Sequence, residues 1–196
     1  MNKDAVIQQN TKWGTSILFA LLLSLTVALG VFLRFYRLGE GGYGNQYYAA
    51  TVQSMLTSWH NFFFASFEPL GSVTVDKPPL GFWVQAVFVY FLGLNGFALA
   101  LPQALAGVFS ILLVFFLIRR PFGNWAGLAA ALSLAVFPAV VSTERNNTVD
   151  GQLVFVLLLA VWMFLESVHT GRAVSYTHLR AHETPEHLVC RLLLEK

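Results

Sequence analysis

Long uncharged apolar runs, separated by short polar stretches, dominate residues 1–172. Trp13 to Leu33 carries no charge and is rich in Leu, Val and Phe. A helix needs about 20 such residues to cross a bilayer. A signal peptide would have a shorter apolar core and a small-x-small cleavage site after it. Gly30-Val31-Phe32-Leu33-Arg34 is not such a site, so a retained first span is expected. Phe97 to Ile118 predicts a second span, with Pro102 tolerable in its first turn. Trp125 to Ser142 predicts a third, and Gln152 to Leu165 begins a fourth that runs out near Glu166, His169 and Arg172. Leu80 to Gly93 is apolar but short for a crossing, and Asn95-Gly96 sets it apart from the next run. The pattern predicts an all-α integral membrane protein with about four transmembrane helices.

The segment from Arg34 to Pro79 is mixed. Tyr48, Val52, Met55, Leu56 and Trp59 recur at helical spacing and predict one amphipathic helix. Asn45 suits its N-cap. Thr51, Ser54 and Ser58 fall on the opposite face. The helix ends in Trp59 and Phe62-Phe63-Phe64, which suits the membrane interface, where aromatic rings sit at headgroup level. An ordinary packed helix in a loop domain is the alternative.

If Leu80–Gly93 crosses, Arg119-Arg120 lies opposite Lys3 and Lys12. If it lies along the interface, all of them share one side with His169 and Arg172. The preference for cationic residues on the cytoplasmic side favours the second arrangement. The N-terminus is then cytoplasmic, and the Arg34–Pro79 and Glu144–Asp150 loops share the extracytoplasmic side. Arg34, Arg37, Lys77 and Arg145 remain there as misfits, and an anionic ligand is one reason for them. Only 11% of the chain is charged, against about 25% in an ordinary soluble domain. The net charge of +2 gives no nucleic-acid footprint.

Composition changes at Ala173. Residues 173–196 read as a translated sequencing adapter, beginning with Val174-Ser175-Tyr176-Thr177-His178. They are expected to be non-native and are set aside from fold reasoning, leaving 1–172 as the truncated N-terminal part of a membrane domain. Cys190, His178, His182 and His187 leave with them, so no metal site and no cofactor is expected.

No charge falls in the middle of a predicted span, which counts against a transporter or proton pump. Acids and bases gather instead at the outer interface. In Val75-Asp76-Lys77-Pro78-Pro79-Leu80 the prolines hold Lys77 in extended geometry at the mouth of an apolar segment, where an ammonium can meet a lipid-linked phosphate. Glu144-Arg145-Asn146-Asn147-Thr148-Val149-Asp150 is a short loop dense in hydrogen-bonding groups. Solvated loop charge is the plainer reading of both.

These residues also carry a resemblance. Asn45-Gln46-Tyr47-Tyr48-Ala49-Ala50 with Ser54-Met55, Asp76-Lys77-Pro78-Pro79-Leu80 with Trp83, Leu101-Pro102-Gln103-Ala104-Leu105-Ala106-Gly107, and Arg145-Asn146-Asn147 with Asp150 occur in one order. The chain resembles the N-terminal part of a bacterial family 39 glycosyltransferase, in the mannosyltransferase-like branch. It is similar more widely to protein O-mannosyltransferases and lipid A aminoarabinose transferases, in the C-type glycosyltransferase superfamily. The resemblance implies a polyprenyl-phosphate sugar donor, an extracytoplasmic acceptor, metal-independent inverting transfer, and interfacial helices in the first outer loop. Many relatives carry Asp-Glu shortly before the tyrosine matched by Tyr48, and that Asp is the usual candidate base. Gly44-Asn45 stand there in this chain, so Asp76 is the expected base. Lys77 and Arg145 are expected at the donor phosphate and Asp150 at sugar or acceptor hydroxyls. Asn45, Gln46 and Tyr48 are expected to bind substrate. A non-catalytic flippase or scaffold is the alternative; intramembrane charges or a polar stripe through several spans would favour it.

Overall fold

The computed structural model describes residues 3–170, with side chains described for 17–168. These residues form eight helices and no strand: α1 Lys3–Phe35, α2 Gln46–Met55, α3 Trp59–Phe64, α4 Leu80–Leu92, α5 Gly96–Phe122, α6 Asn124–Val136, α7 Pro138–Glu144 and α8 Asp150–Thr170. The described residues up to Phe155 form one compact unit, and the second begins within α8 at Val156. The predicted tail at 173–196, with Arg172, lies outside the described residues. Three helices are long and apolar enough to cross a membrane: Ile17–Phe35 of α1, Gly96–Phe122 and Asp150–Val168. The pair α6–α7, bent by 60° at its break, is apolar and long enough to make a fourth if its two helices form one span. Helices are the form such segments must take, because lipid offers backbone polar groups no partner.

In the first unit α1, α5 and α6 pack lengthwise. Phe19 meets Phe115, with ring centroids 5.9 Å apart, and Trp125 at the same separation. A Cβ on Gly30 would lie 2.5 Å from Ile111, and one on Gly39 would lie 2.5 Å from the Phe97 nitrogen. α1 and α5 are therefore antiparallel, and α6 runs alongside α1. Ile111, Phe115, Ala131 and Ala135 form the shared core, with Phe19, Leu23 and Leu134 against it. The alanines let the backbones approach closely, as membrane helix interfaces require.

The third predicted span is not one straight helix. Phe137 precedes Pro138 and takes extended backbone (φ −65°, ψ 114°), the geometry that proline imposes on its neighbour. Helix α6 stops there, α7 restarts with Pro138 in its first turn, and the two axes differ by 60°. Pro102 lies in the second turn of α5 rather than the first, and α5 continues through it.

The helix predicted through Trp59 is broken as well. Helix α2 ends at Met55. Ser58 then caps α3, its side chain accepting from the Asn61 N–H at 3.1 Å. Thr51 and Ser54, assigned to a polar face, are buried, while Trp59 is 78% exposed. The cause is packing on more than one side: α2 is covered by both α3 and α4. Tyr48, Val52, Met55, Phe82, Ala86, Val89, Ala98 and Leu99 share one core there, so the first loop is a folded layer on the end of the bundle.

Both ends of α4 lie in that layer. A Cβ on Gly81 would press on Val149 at 2.6 Å, and Trp83 Nε1 donates to the Phe62 carbonyl at 2.8 Å. At the other end, α5 begins directly against the 39–42 turn that follows α1. Helix α4 therefore runs along the layer rather than through the bundle. Val84, Val87, Tyr90 and Phe91 stay exposed along it.

Candidate functional site

Asn45 is the hinge of the site. Its Oδ1 accepts from the N–H groups of Tyr47 and Tyr48 at 3.0 and 3.3 Å, which makes it the expected N-cap. Its backbone reaches the distant loop. The Asn45 N–H donates to Asn147 Oδ1 at 2.7 Å and Asn146 Oδ1 at 3.2 Å, and Asn147 Nδ2 donates to the Asn45 carbonyl at 2.8 Å. The two loops therefore meet on one face of the bundle. Gly44 is required here on two counts. Its φ is +66°, and a Cβ would run into the Asn146 and Asn147 side-chain oxygens.

Helix α2 carries Tyr48 inward and leaves Gln46 exposed. The Tyr48 ring packs edge-on to Phe82 at 5.2 Å, and Tyr47 stacks on Phe67 at 4.5 Å. Burial pushes the Tyr48 phenol above its usual range, and the negative charges of Asp76 and Asp150 raise it further, with a contribution from Tyr47.

Asp76 and Lys77 are both exposed. They leave a tight antiparallel turn in which Val75 N–H donates to the Ala65 carbonyl at 3.0 Å and Phe67 N–H to that of Val73 at 2.9 Å. Pro78 and Pro79 lead from them into α4. Asp150 opens α8, where the helix dipole favours a carboxylate. It too is exposed.

The four cationic misfits separate on inspection. Arg34 is fully buried and pairs with Glu144, Nε to Oε2 2.6 Å. Its other donors reach the Gly30, Ala135 and Leu134 carbonyls at 3.2, 3.1 and 3.3 Å. Arg37 pairs with Glu40 on the surface at 2.5 Å. Arg145 Nη1 donates to the Leu33 and Arg34 carbonyls at 2.7 and 3.3 Å, closing the end of α1. Among the described residues, Lys77 alone of the four has no such partner. Arg34 and Arg37 thus find their anions within the protein, and an external ligand is not needed to explain them.

Beneath the two loops lies a buried amide layer that sequence reasoning passed over. Gln85 Nε2 donates to the Asn147 carbonyl at 2.8 Å, and the Gln152 N–H donates to Gln103 Oε1 at 3.1 Å. Gln85 and Gln103 are fully buried. A lone glutamine inside an apolar run was the available signal.

The chain is similar in sequence to several known proteins. "Putative mannosyltransferase YycA" of Bacillus subtilis is 44% identical over 79% of this chain and 22% of its own length. "Putative mannosyltransferase YkcB" of the same organism is 41% identical over the same shares. "Undecaprenyl phosphate-alpha-4-amino-4-deoxy-L-arabinose arabinosyl transferase 2" of Pseudomonas fluorescens is 28% identical over 78% of this chain and 29% of its own length. The chain thus spans about a fifth of the two Bacillus proteins. No solved structure matches it. The family model for dolichyl-phosphate-mannose-protein mannosyltransferases matches residues 76–181, which is more than half of the 196 residues and runs past Arg172. All-helical in its described residues, with three helices long and apolar enough to cross a membrane, the chain belongs to the dolichyl-phosphate-mannose-protein mannosyltransferase family.

Proposed function

We propose that this chain is the N-terminal part of an enzyme that moves a sugar from a polyprenyl-phosphate donor to an acceptor on the extracytoplasmic side. The observation that carries the reading is the hydrogen bonding of Asn45 to Asn146 and Asn147, which joins the first loop to the segment that ends at exposed Asp150. The acceptor hydroxyl attacks the anomeric carbon, the bond from that carbon to the phosphate oxygen breaks, and polyprenyl phosphate leaves. Asp76 takes the hydroxyl proton. Lys77 offsets the charge that builds on the leaving phosphate, the kind of electrostatic stabilisation that usually dominates. Arg145 has further N–H donors beyond the one spent on α1 and can join Lys77 there. Asp150 holds sugar or acceptor hydroxyls, and Asn45, Gln46 and Tyr48 line the approach. The Pseudomonas relative's name specifies an undecaprenyl phosphate sugar, which supports the donor class.

The test uses the full-length protein in membranes, with labelled polyprenyl-phosphate mannose and aminoarabinose as donors. Asp76→Asn should cut transfer by about 10²–10⁴-fold, the usual contribution of a positioned base, with donor binding close to normal. Lys77→Ala should lower both donor affinity and rate. Transfer at the wild-type rate in Asp76→Asn would remove Asp76 from the role. An inactive Asp150→Asn alongside it would exchange the two carboxylates.

A further inference from the structure

The Arg34–Glu144 pair is out of place as a source of stability. Both side chains are buried, and Glu144 Oε1 has no hydrogen-bond partner among the described residues. A buried ion pair often contributes no more than apolar side chains of the same volume. What this pair does fix is register. Glu144 ends α7 and is held to the last turn of α1 through Arg34. The next residue, Arg145, returns the contact by donating to the carbonyls of Leu33 and Arg34. Immediately afterwards, Asn146 and Asn147 take hold of Asn45, and the Asn147 carbonyl accepts from Gln85. Asp150 follows three residues later. Gly107 of α5 makes room for the clasp, since a Cβ there would collide with the Glu144 carboxyl group and come within 2.6 Å of Arg34 Nε.

We infer that Arg34 and Glu144 are positioning residues: their clasp holds the 145–150 loop on the N-terminus of α2 and thereby sets where Asp150 stands at the start of α8. The consequence for transfer rests on the function proposed above; the holding of the loop does not. Glu144→Gln keeps the shape and one acceptor but leaves the Arg34 charge without its counterion. Gly107→Ala perturbs the same pair from outside and favours helix formation in α5 itself.

Two readouts separate the clasp from the enzyme reading. The first is thiol labelling in the full-length protein, otherwise free of cysteine, at Thr148→Cys in the half-buried loop and Ser72→Cys on the exposed surface. Glu144→Gln and Gly107→Ala should each speed labelling at position 148 by about tenfold or more and leave position 72 unchanged. Unchanged labelling at 148 in both would overturn the inference, and equal acceleration at both positions would do so too, because it reports general unfolding. The second readout is transfer from labelled polyprenyl-phosphate mannose. Glu144→Gln should lower the rate by about 10²-fold with donor binding retained, as small misplacements of a reacting group do. Added to Asp150→Asn it should cost little more, because both changes act through the same carboxylate. Full additivity would overturn the positioning of Asp150. If the wild type transfers from neither donor while labelling at 148 behaves as expected, the clasp stands and the donor reading fails.

Discussion

Tyr48 is the residue through which the site can be read in solution. Its phenol is raised by burial first and by Asp76 and Asp150 next, so the fold favours the neutral form. That contribution is fully present below the usual tyrosine value of about 10 and is lost as pH rises through the folded value. In an alkaline absorbance titration a phenol that ionises above the usual tyrosine range should disappear in Tyr48→Phe. It should ionise earlier in Asp76→Asn, and by a smaller step in Asp150→Asn, because Asp76 acts more strongly. A Tyr48 titration indifferent to both changes would mean that neither carboxylate faces the ring. Gly44 and Asn45 give a second test at this scale. Alanine at 44 must adopt a positive φ and displace Asn146, at a cost of about 1–3 kcal/mol. Asn45→Asp keeps an equally good N-cap, since only the Asn45 side-chain oxygen is used. Heat inactivation in detergent should therefore fall earlier for Gly44→Ala and stay close to wild type for Asn45→Asp.

At the scale of elements, what could be read from the sequence was set by how local the cause is. The apolar runs predicted α5 and α8 nearly to their ends and α1 at its C-terminal end, because length and hydropathy alone decide whether a segment can span; α1 itself starts at Lys3, well before Trp13. Asn45 caps where expected, and Asn95, expected only to separate two apolar runs, caps α5, its Oδ1 accepting from the Ala98 N–H at 2.8 Å. The break at Phe137–Pro138 was equally local, since the proline announces it, yet an uninterrupted apolar run conceals it. The split between α2 and α3 was not local. Trp59 continues the stripe of Tyr48, Val52 and Met55, but Ser58 offers a cap, and α4 covers residues that a free amphipathic helix would expose. Burial of Thr51 and Ser54 follows, and so does that of Asn61, whose Nδ2 bridges the Thr57 hydroxyl and the Pro69 carbonyl at 3.0 and 2.9 Å. The pairing of Arg34 with Glu144, 110 residues apart, has no sequence signal at all. Arg34 read alone was a charge in search of a ligand. The site itself was legible only as an order of motifs; folding supplied the reason they belong together.

At the scale of the whole molecule, the question is which compartment the two loops face. Helix α1 leads into the layer that contains Asn45, and α5 leads away from it to Arg119 and Arg120, with Arg119 resting 5.4 and 5.2 Å over the Phe115 and Phe116 rings. The cationic end of α5 therefore lies opposite the site face. Since α1 and α5 are antiparallel, the start of α1, with Lys3 and Lys12 in its sequence, shares that end. The bias of Lys and Arg toward the cytoplasm is the basis of the proposal that the site faces outside. Helix α4 strengthens the argument, because both its ends stay in the layer and add no crossing that would reverse α5. Cysteines introduced singly at Ser72 and Thr148 should react with an impermeant thiol reagent in intact cells, Thr148 more slowly because it is half-buried. A cysteine at Asn124, in the turn after Arg119-Arg120, should react only after the membrane is opened. Labelling at 124 in intact cells with protection at both 72 and 148 would turn the molecule over. The carboxylates would then face the cytoplasm, and an acceptor outside the cell would be out of their reach. Because the two loops are joined through Asn45 and Asn147, positions 72 and 148 must report the same side. A split result between them would show that the joined loops, and with them the shared site, do not exist in the membrane.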